Sequence, residues 1–416
     1  MLSAIPSFEP PDGIIVPTRP RLADVISFST GRLLGTPEHT ARLLAEEPVP
    51  PFKFALFSQE FIQLQMVTAQ ALTLPVVAGT FEDKYGTFAS KDTVVNCVSA
   101  LNSLSTLCKK FGNPTTLVTE IEKLGKGAEP TSLYGRIVWV SQRIANTAEN
   151  FHLSFGVLKT MLNQISDRKE RYEALKGILG GDGGLITESI AMEARATSLR
   201  TALLAYSAEM TGVKTPIDKY FSASSDVCKE AVAKHKDVMD SITAAQIELT
   251  GARDDYTKYV AAATGSSVGL MIISFGVAWP LAAVSGGVLG ALAEQARKRA
   301  NEIEGQLATL RGEAAKKAQL VLDVNGLQSG VNPVELQLTK VCEGLDQIAG
   351  VWANVTSRLK NIIEQTSPEA LADVDKFLTI SRILTAQEKW KNIAETTYGF
   401  TERAFVKFQE SVAKPA

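Results

Sequence analysis

The sequence predicts an all-α protein: an elongated helical bundle with a coiled-coil stalk and a head carrying an apolar hairpin. Three observations lead there. Segments of helical length, punctuated by Gly and Pro, follow one another from Ser58 to Gln409. No run alternates apolar and polar residues as a half-buried strand would, and no repeat of solenoid length occurs. Two arms with heptad spacing flank one long tract without charge.

The elements follow in order. The first 57 residues hold nine prolines and read as an extended segment packed on the body, with one short helix at Thr40 to Glu46. A helix then runs from Ser58 to Pro75, and another from Ser90 to a Gly-Asn-Pro breaker. A long helical run from Leu133 to about Leu179 closes on Gly180–Gly184, another covers roughly Thr187 to Met210, and Pro216 punctuates the next loop. The first arm, Lys229 to Tyr259, carries Val238, Ile242, Ala245, Leu249, Ala252, Tyr256 and Tyr259 at alternating steps of four and three. The second, Glu294 to Val324, keeps a similar spacing through Ala296, Ala300, Ile303, Leu307, Leu310 and Ala314. Both arms have 31 residues, about 45 Å as helix. Equal arms around an apolar centre describe an antiparallel hairpin with an apolar tip. Two further helices, Val334 to Gln365 and Pro368 to Gln409, return along it. The division is therefore 1–57, then a bundle of 58–228 with 325–416, and arms of 229–324 bearing the tip at 260–293.

That tip, Val260 to Ala293, has no charged residue. Val260 to Trp279 supplies 20 residues and Pro280 to Ala293 only 14, against about 20 for a spanning helix. A break at Pro280 makes one long and one short limb. Gly265 with Gly269, and Gly286 with Gly290, allow close helix approach in lipid, and Trp279 suits a headgroup interface. A buried core hairpin competes with this reading, but six glycines in the tract disfavour a soluble helix pair. A permanent span competes too, yet would leave the matched seams on opposite sides of a bilayer. The expectation is a conditional membrane segment, hidden in water. Its membrane-interacting residues are Val268, Leu270, Met271, Ile272, Ile273, Phe275, Val277, Trp279, Leu281, Val284, Val288 and Leu289. Gly265, Gly269, Gly276, Gly286, Gly287 and Gly290 serve as hinge or close-packing positions.

Composition narrows the function. Forty-three basic and 45 acidic residues give a net charge of -2, so no basic field draws nucleic acid or anionic lipid. The four cysteines form no CxxC pair and read as free buried thiols. The start lacks a basic n-region and an unbroken apolar run, which is not a secretory signal peptide. Gly265–Gly269 fits G-x-S-x-G, but His39, His152 and His235 all precede Ser267, against hydrolase order. The glycines of Gly177–Gly184 lack the Lys-Ser/Thr ending of a phosphate loop and read as a turn. His235 reads as part of a solvated helix face. With no metal-ligand spacing either, the expectation is no enzyme, no cofactor and no metal.

Three stretches resemble a known family. "SGGVLGALAEQARKRANEIEGQLATL", Ser285 to Leu310, is similar to the glycine-rich end of the membrane hairpin in component A of the alpha-xenorhabdolysin type binary toxins, within the cytolysin A superfamily of α-helical pore-forming toxins. "LTLP" at Leu72 to Pro75 and "LDQIAGVWANVTSRL" at Leu345 to Leu359 match more weakly. Trp279-Pro280 departs from the family pattern. The resemblance implies a secreted, soluble monomer that converts to a form bound to a target-cell lipid membrane. It also implies a B subunit as partner and a hetero-oligomeric ring forming a lytic pore. A reading from another class is a coiled-coil scaffold whose apolar tip docks into a partner protein.

Overall fold

A computed structural model describes residues 5–17, 52–112, 120, 128–222, 224–234, 270–274, 277–281, 312–403 and 407–410. The expected helix at Thr40 to Glu46, both heptad seams up to Leu310, and the flanks of the tract lie outside the described residues. Helices dominate, as the all-α class requires. They are α1 (Gln59–Leu72), α2 (Ala78–Tyr85), α3 (Lys91–Phe111), α4 (Leu133–Gln164), α5 (Arg168–Gly180), α6 (Leu185–Phe221), α7 (Asp226–Lys234), α8 (Glu313–Val331), α9 (Val334–Gln365), α10 (Val374–Ile380) and α11 (Ile383–Arg403).

Local chemistry sets many of the boundaries. Ser58, Ser90 and Ser132 cap α1, α3 and α4, each hydroxyl accepting the N–H three residues on. The run expected from Leu133 to Leu179 divides at residues 165–167, where the Asp167 carboxylate accepts from the N–H groups of Lys169 and Glu170 at 2.8 and 3.0 Å. A cap there starts α5 in a new direction. The glycines after α5 form the expected turn, with Gly183 at φ +71° and the Gly184 N–H donating to Gly181.

Pro216 does not end its helix, contrary to expectation: α6 passes through it. Ile217 and Phe221 beyond it are fully buried, and their burial outweighs a proline cost of about 3 kcal/mol. The single helix expected over Pro368 to Gln409 is also divided, into a 3₁₀ turn, α10 and α11, with left-handed Arg382 (φ 54°) at the last junction.

The core is an aromatic column between long antiparallel helices. The most extensive pairs are α6 with α9 and α4 with α11. Phe151 of α4 lies 4.4 Å from Trp390 of α11 and 5.8 Å from Trp352 of α9, and the two tryptophans are 5.5 Å apart. Phe61 of α1 stacks on Tyr134 at 5.7 Å. The N-terminal segment joins this core. Phe8 sits 5.0 Å from Phe155, and β1 (Ile15–Pro17) pairs antiparallel with β2 (Phe52–Phe54). Gly330 lets α8 cross close to Val67 of α1.

Candidate functional site

The centre of the charge-free tract is strand, not helix. β3 (Leu270–Ser274) and β4 (Val277–Leu281) pair antiparallel, with Leu270 opposite Leu281, Ile272 opposite Trp279 and Ser274 opposite Val277. β5 (Lys407–Glu410) adds parallel to β3, giving the order β4-β3-β5. Over these described residues the expected pair of helical limbs broken at Pro280 is thus corrected. Pro280 lies within β4, opposite Met271. β-branched and aromatic residues crowd this part of the tract and favour strand. A proline has no N–H to give a ladder, and β4 is an edge strand, where that loss is tolerated.

Seven of the candidate residues therefore fall in one hairpin: Leu270, Met271, Ile272 and Ile273 in β3, and Val277, Trp279 and Leu281 in β4. Phe275 and Gly276 connect the strands but, like Val268, Val284, Val288, Leu289, Gly265, Gly269, Gly286, Gly287 and Gly290, lie outside the described residues. β4 runs beside α1 and α8, so the hairpin is docked on the helical body. Among the described residues no helix is long and apolar enough to cross a membrane.

The arms enter the body as α7 and α8, which pack on each other. At that entry lies a charged cluster that sequence reasoning missed. Asp323 of α8 is 3% exposed; it accepts from the Tyr85 hydroxyl at 2.7 Å, from Lys84 Nζ at 2.8 Å and from Gln319 Nε2 at 2.7 Å. Lys317 of α8, 2% exposed, donates to the Thr87 carbonyl at 2.6 Å and lies 3.1 Å from the centre of the Phe88 ring. Glu230 of α7 accepts from the Ala89 N–H at 3.3 Å. The Glu313 carboxylate covers Gly86, which adopts φ +78°. Burial, and then the Asp323 carboxylate, hold the Tyr85 hydroxyl pKa well above its ordinary value. The one available sequence signal was α2 itself: Phe81 and Tyr85 at helical spacing, closed by Gly86.

The groups considered for chemistry sit within helix packing where they are described. His152 Nδ1 lies 3.0 Å from the Gln387 carbonyl in the α4–α11 interface. All four cysteines are free and buried, as expected, and burial pushes the Cys97 and Cys108 thiols up to about 12. His39, His235 and Ser267 lie outside the described residues. Among the described residues no group of three His, Cys, Asp or Glu could hold a metal.

A bundle of long antiparallel helices with a short strand pair beside it defines a helical-bundle class. Solved structures of that class are similar to this chain. The Bacillus cereus HblL1 toxin component superposes with a TM-score of 0.54 at 12% identity, covering 83% of this chain and 95% of its own. Soluble SmhB of the tripartite alpha-pore forming toxin Smh, from Serratia marcescens, does so with a TM-score of 0.50 at 11% identity, covering 86% and 94%. The chain therefore has the fold of these α-helical toxin components. No protein-family model matches it, and no curated protein matches it in sequence.

Proposed function

We propose that this chain is a subunit of an α-helical pore-forming toxin, which shelters its apolar hairpin on the helical body in water and delivers it to a target-cell lipid membrane. One observation carries the reading: a charge-free tract of 34 residues, between two heptad arms, on a bundle with the toxin-component fold. Assembly with a B-type component into a hetero-oligomeric ring completes the pore. No enzymatic step is required.

Physical chemistry constrains the delivery. A three-stranded sheet has open edges, and lipid leaves backbone N–H and C=O groups no partner outside helices and closed barrels. Five-residue strands reach only about 17 Å at about 3.3 Å per residue, against a hydrocarbon core of about 30 Å. Val260 to Trp279 as one helix reaches that depth. Insertion therefore rebuilds the strands as helix. The docked hairpin is then the water-soluble form, and its contacts with α1 and α8 must break first.

Vesicle flotation and dye release test the reading, with the purified chain alone and with a candidate partner component. The double variant Ile272→Asp with Val288→Asp places charge in both limbs, each costing about 2.5–3.5 kcal/mol at a bilayer centre. Binding should fall at least about a hundredfold while the helical circular dichroism of the bundle is retained. Unchanged flotation of the double variant sinks the membrane reading; a stable complex with a partner protein and no lipid effect favours a scaffold.

A further inference from the structure

The charged cluster at the arm entry grips six consecutive residues. Lys84 and Tyr85 meet Asp323, Gly86 lies under Glu313, Thr87 and Phe88 meet Lys317, and the Ala89 N–H reaches Glu230. Glu230 belongs to α7, where the first arm leaves the body. Glu313, Lys317 and Asp323 belong to α8, where the second arm returns. The turn between α2 and α3 is thus held by charged side chains from both arms.

Asp323 and Lys317 are the buried charges of this cluster, and charge is a costly way to hold buried surfaces together. Apolar side chains of the same size hold as well or better, because buried ions lose their hydration and recover it only through well-placed partners. Charge has a different merit. When the surfaces part, ions regain hydration, whereas apolar groups would be exposed to water at a penalty. A cluster of this kind favours two discrete states, closed and open, over one permanent core. β4 runs beside both α1 and α8, so movement of α8 takes away part of the surface that supports the hairpin.

We propose that the cluster is a clamp: closed, it keeps the base of the arms on the 84–89 turn, and its opening frees the hairpin from α8. This rests on the membrane reading only for what the freed hairpin does next. The release itself is a property of the chain in water.

Hydrogen exchange on the full chain, without lipid, tests the clamp. Asp323→Asn removes the charge that Lys84 and Tyr85 share. Gly86→Ala keeps every charge but puts a methyl group where the Glu313 carboxylate sits, at a φ of +78° that alanine resists. Both variants should exchange about tenfold faster in three segments together: 84–89, 313–323 and the hairpin 270–281. The α4–α11 pair should be unaffected. Should one variant fail to fold, the other carries the same comparison. Faster exchange at 84–89 and 313–323 with an unchanged hairpin overturns the coupling. Unchanged exchange in all three segments, or a uniform rise across the bundle, overturns the clamp itself. Vesicle flotation is scored separately: wild-type protein that binds no vesicle, alone or with its partner component, would sink the membrane reading, while the exchange result would still decide the clamp.

Discussion

Phe8→Ala asks whether the N-terminal segment is a strap that opens independently of the bundle. Phe8 is 3% exposed with its ring 5.0 Å from Phe155, and truncating a buried phenylalanine costs about 3–5 kcal/mol. The contacts left behind are individually weaker. The Phe8 N–H donates to the Ser381 carbonyl at 3.0 Å, Trp390 Nε1 donates to the Phe8 carbonyl at 3.4 Å, and Arg358 Nη1 donates to the Glu9 carbonyl at 3.0 Å. The first two are neutral bonds of about 1 kcal/mol net, and the third, from a guanidinium, contributes about 1.5–3 kcal/mol. Glu9 faces Arg382 at 3.1 Å and Lys389 at 3.5 Å, but both cations are about half exposed, which limits each pair to roughly 1 kcal/mol or less. The lost ring therefore outweighs any single remaining contact. Exchange of the Phe8 amide should accelerate about a hundredfold, while amides of α4 and α11 keep their protection. Hydrogen exchange followed by mass spectrometry on residues 5–17 reads this directly, with thermal melting of the same variant beside it. Simultaneous loss of protection in the strap, α4 and α11 would refute the reasoning, because the segment would then be part of one cooperative core. Unchanged protection at Phe8 would refute it too.

Two further outcomes follow from particular contacts. Gly330→Ala should destabilise by about 1–3 kcal/mol, since its methyl carbon would lie 2.8 Å from Val67 Cγ2 where α8 crosses α1; an unchanged denaturation midpoint would mean that the crossing relaxes freely. The buried thiols give an alkaline signature. Cys97 and Cys108 ionise at about 12 in the fold against an ordinary 9.0, so their contribution to stability is complete below pH 9 and is lost as pH rises toward 12. Native protein at pH 8 should resist thiol reagents that label all four cysteines after denaturation, and rapid labelling without denaturant would contradict their burial.

Much of this protein was decided by its sequence alone. Serine caps at Ser58, Ser90 and Ser132 start helices through hydrogen bonds within four residues, so local order suffices to read them. The absence of charge over Val260 to Ala293 and the free state of the thiols are likewise legible without a fold. What tertiary structure alone decided involves partners distant in sequence. Pro216 remains helical because Ile217 and Phe221 find burial against other helices, which no local propensity encodes. Leu270–Ser274 becomes strand by pairing both with its neighbour β4 and with Lys407–Glu410, from the other end of the chain. An apolar run without alternation suits a buried strand as well as a helix, so periodicity cannot choose between them. The arm-entry cluster was invisible for the same reason. Lys84, Glu230, Glu313, Lys317 and Asp323 look like ordinary surface charges in a helical sequence, and only packing of α2, α7 and α8 at one place brings them together.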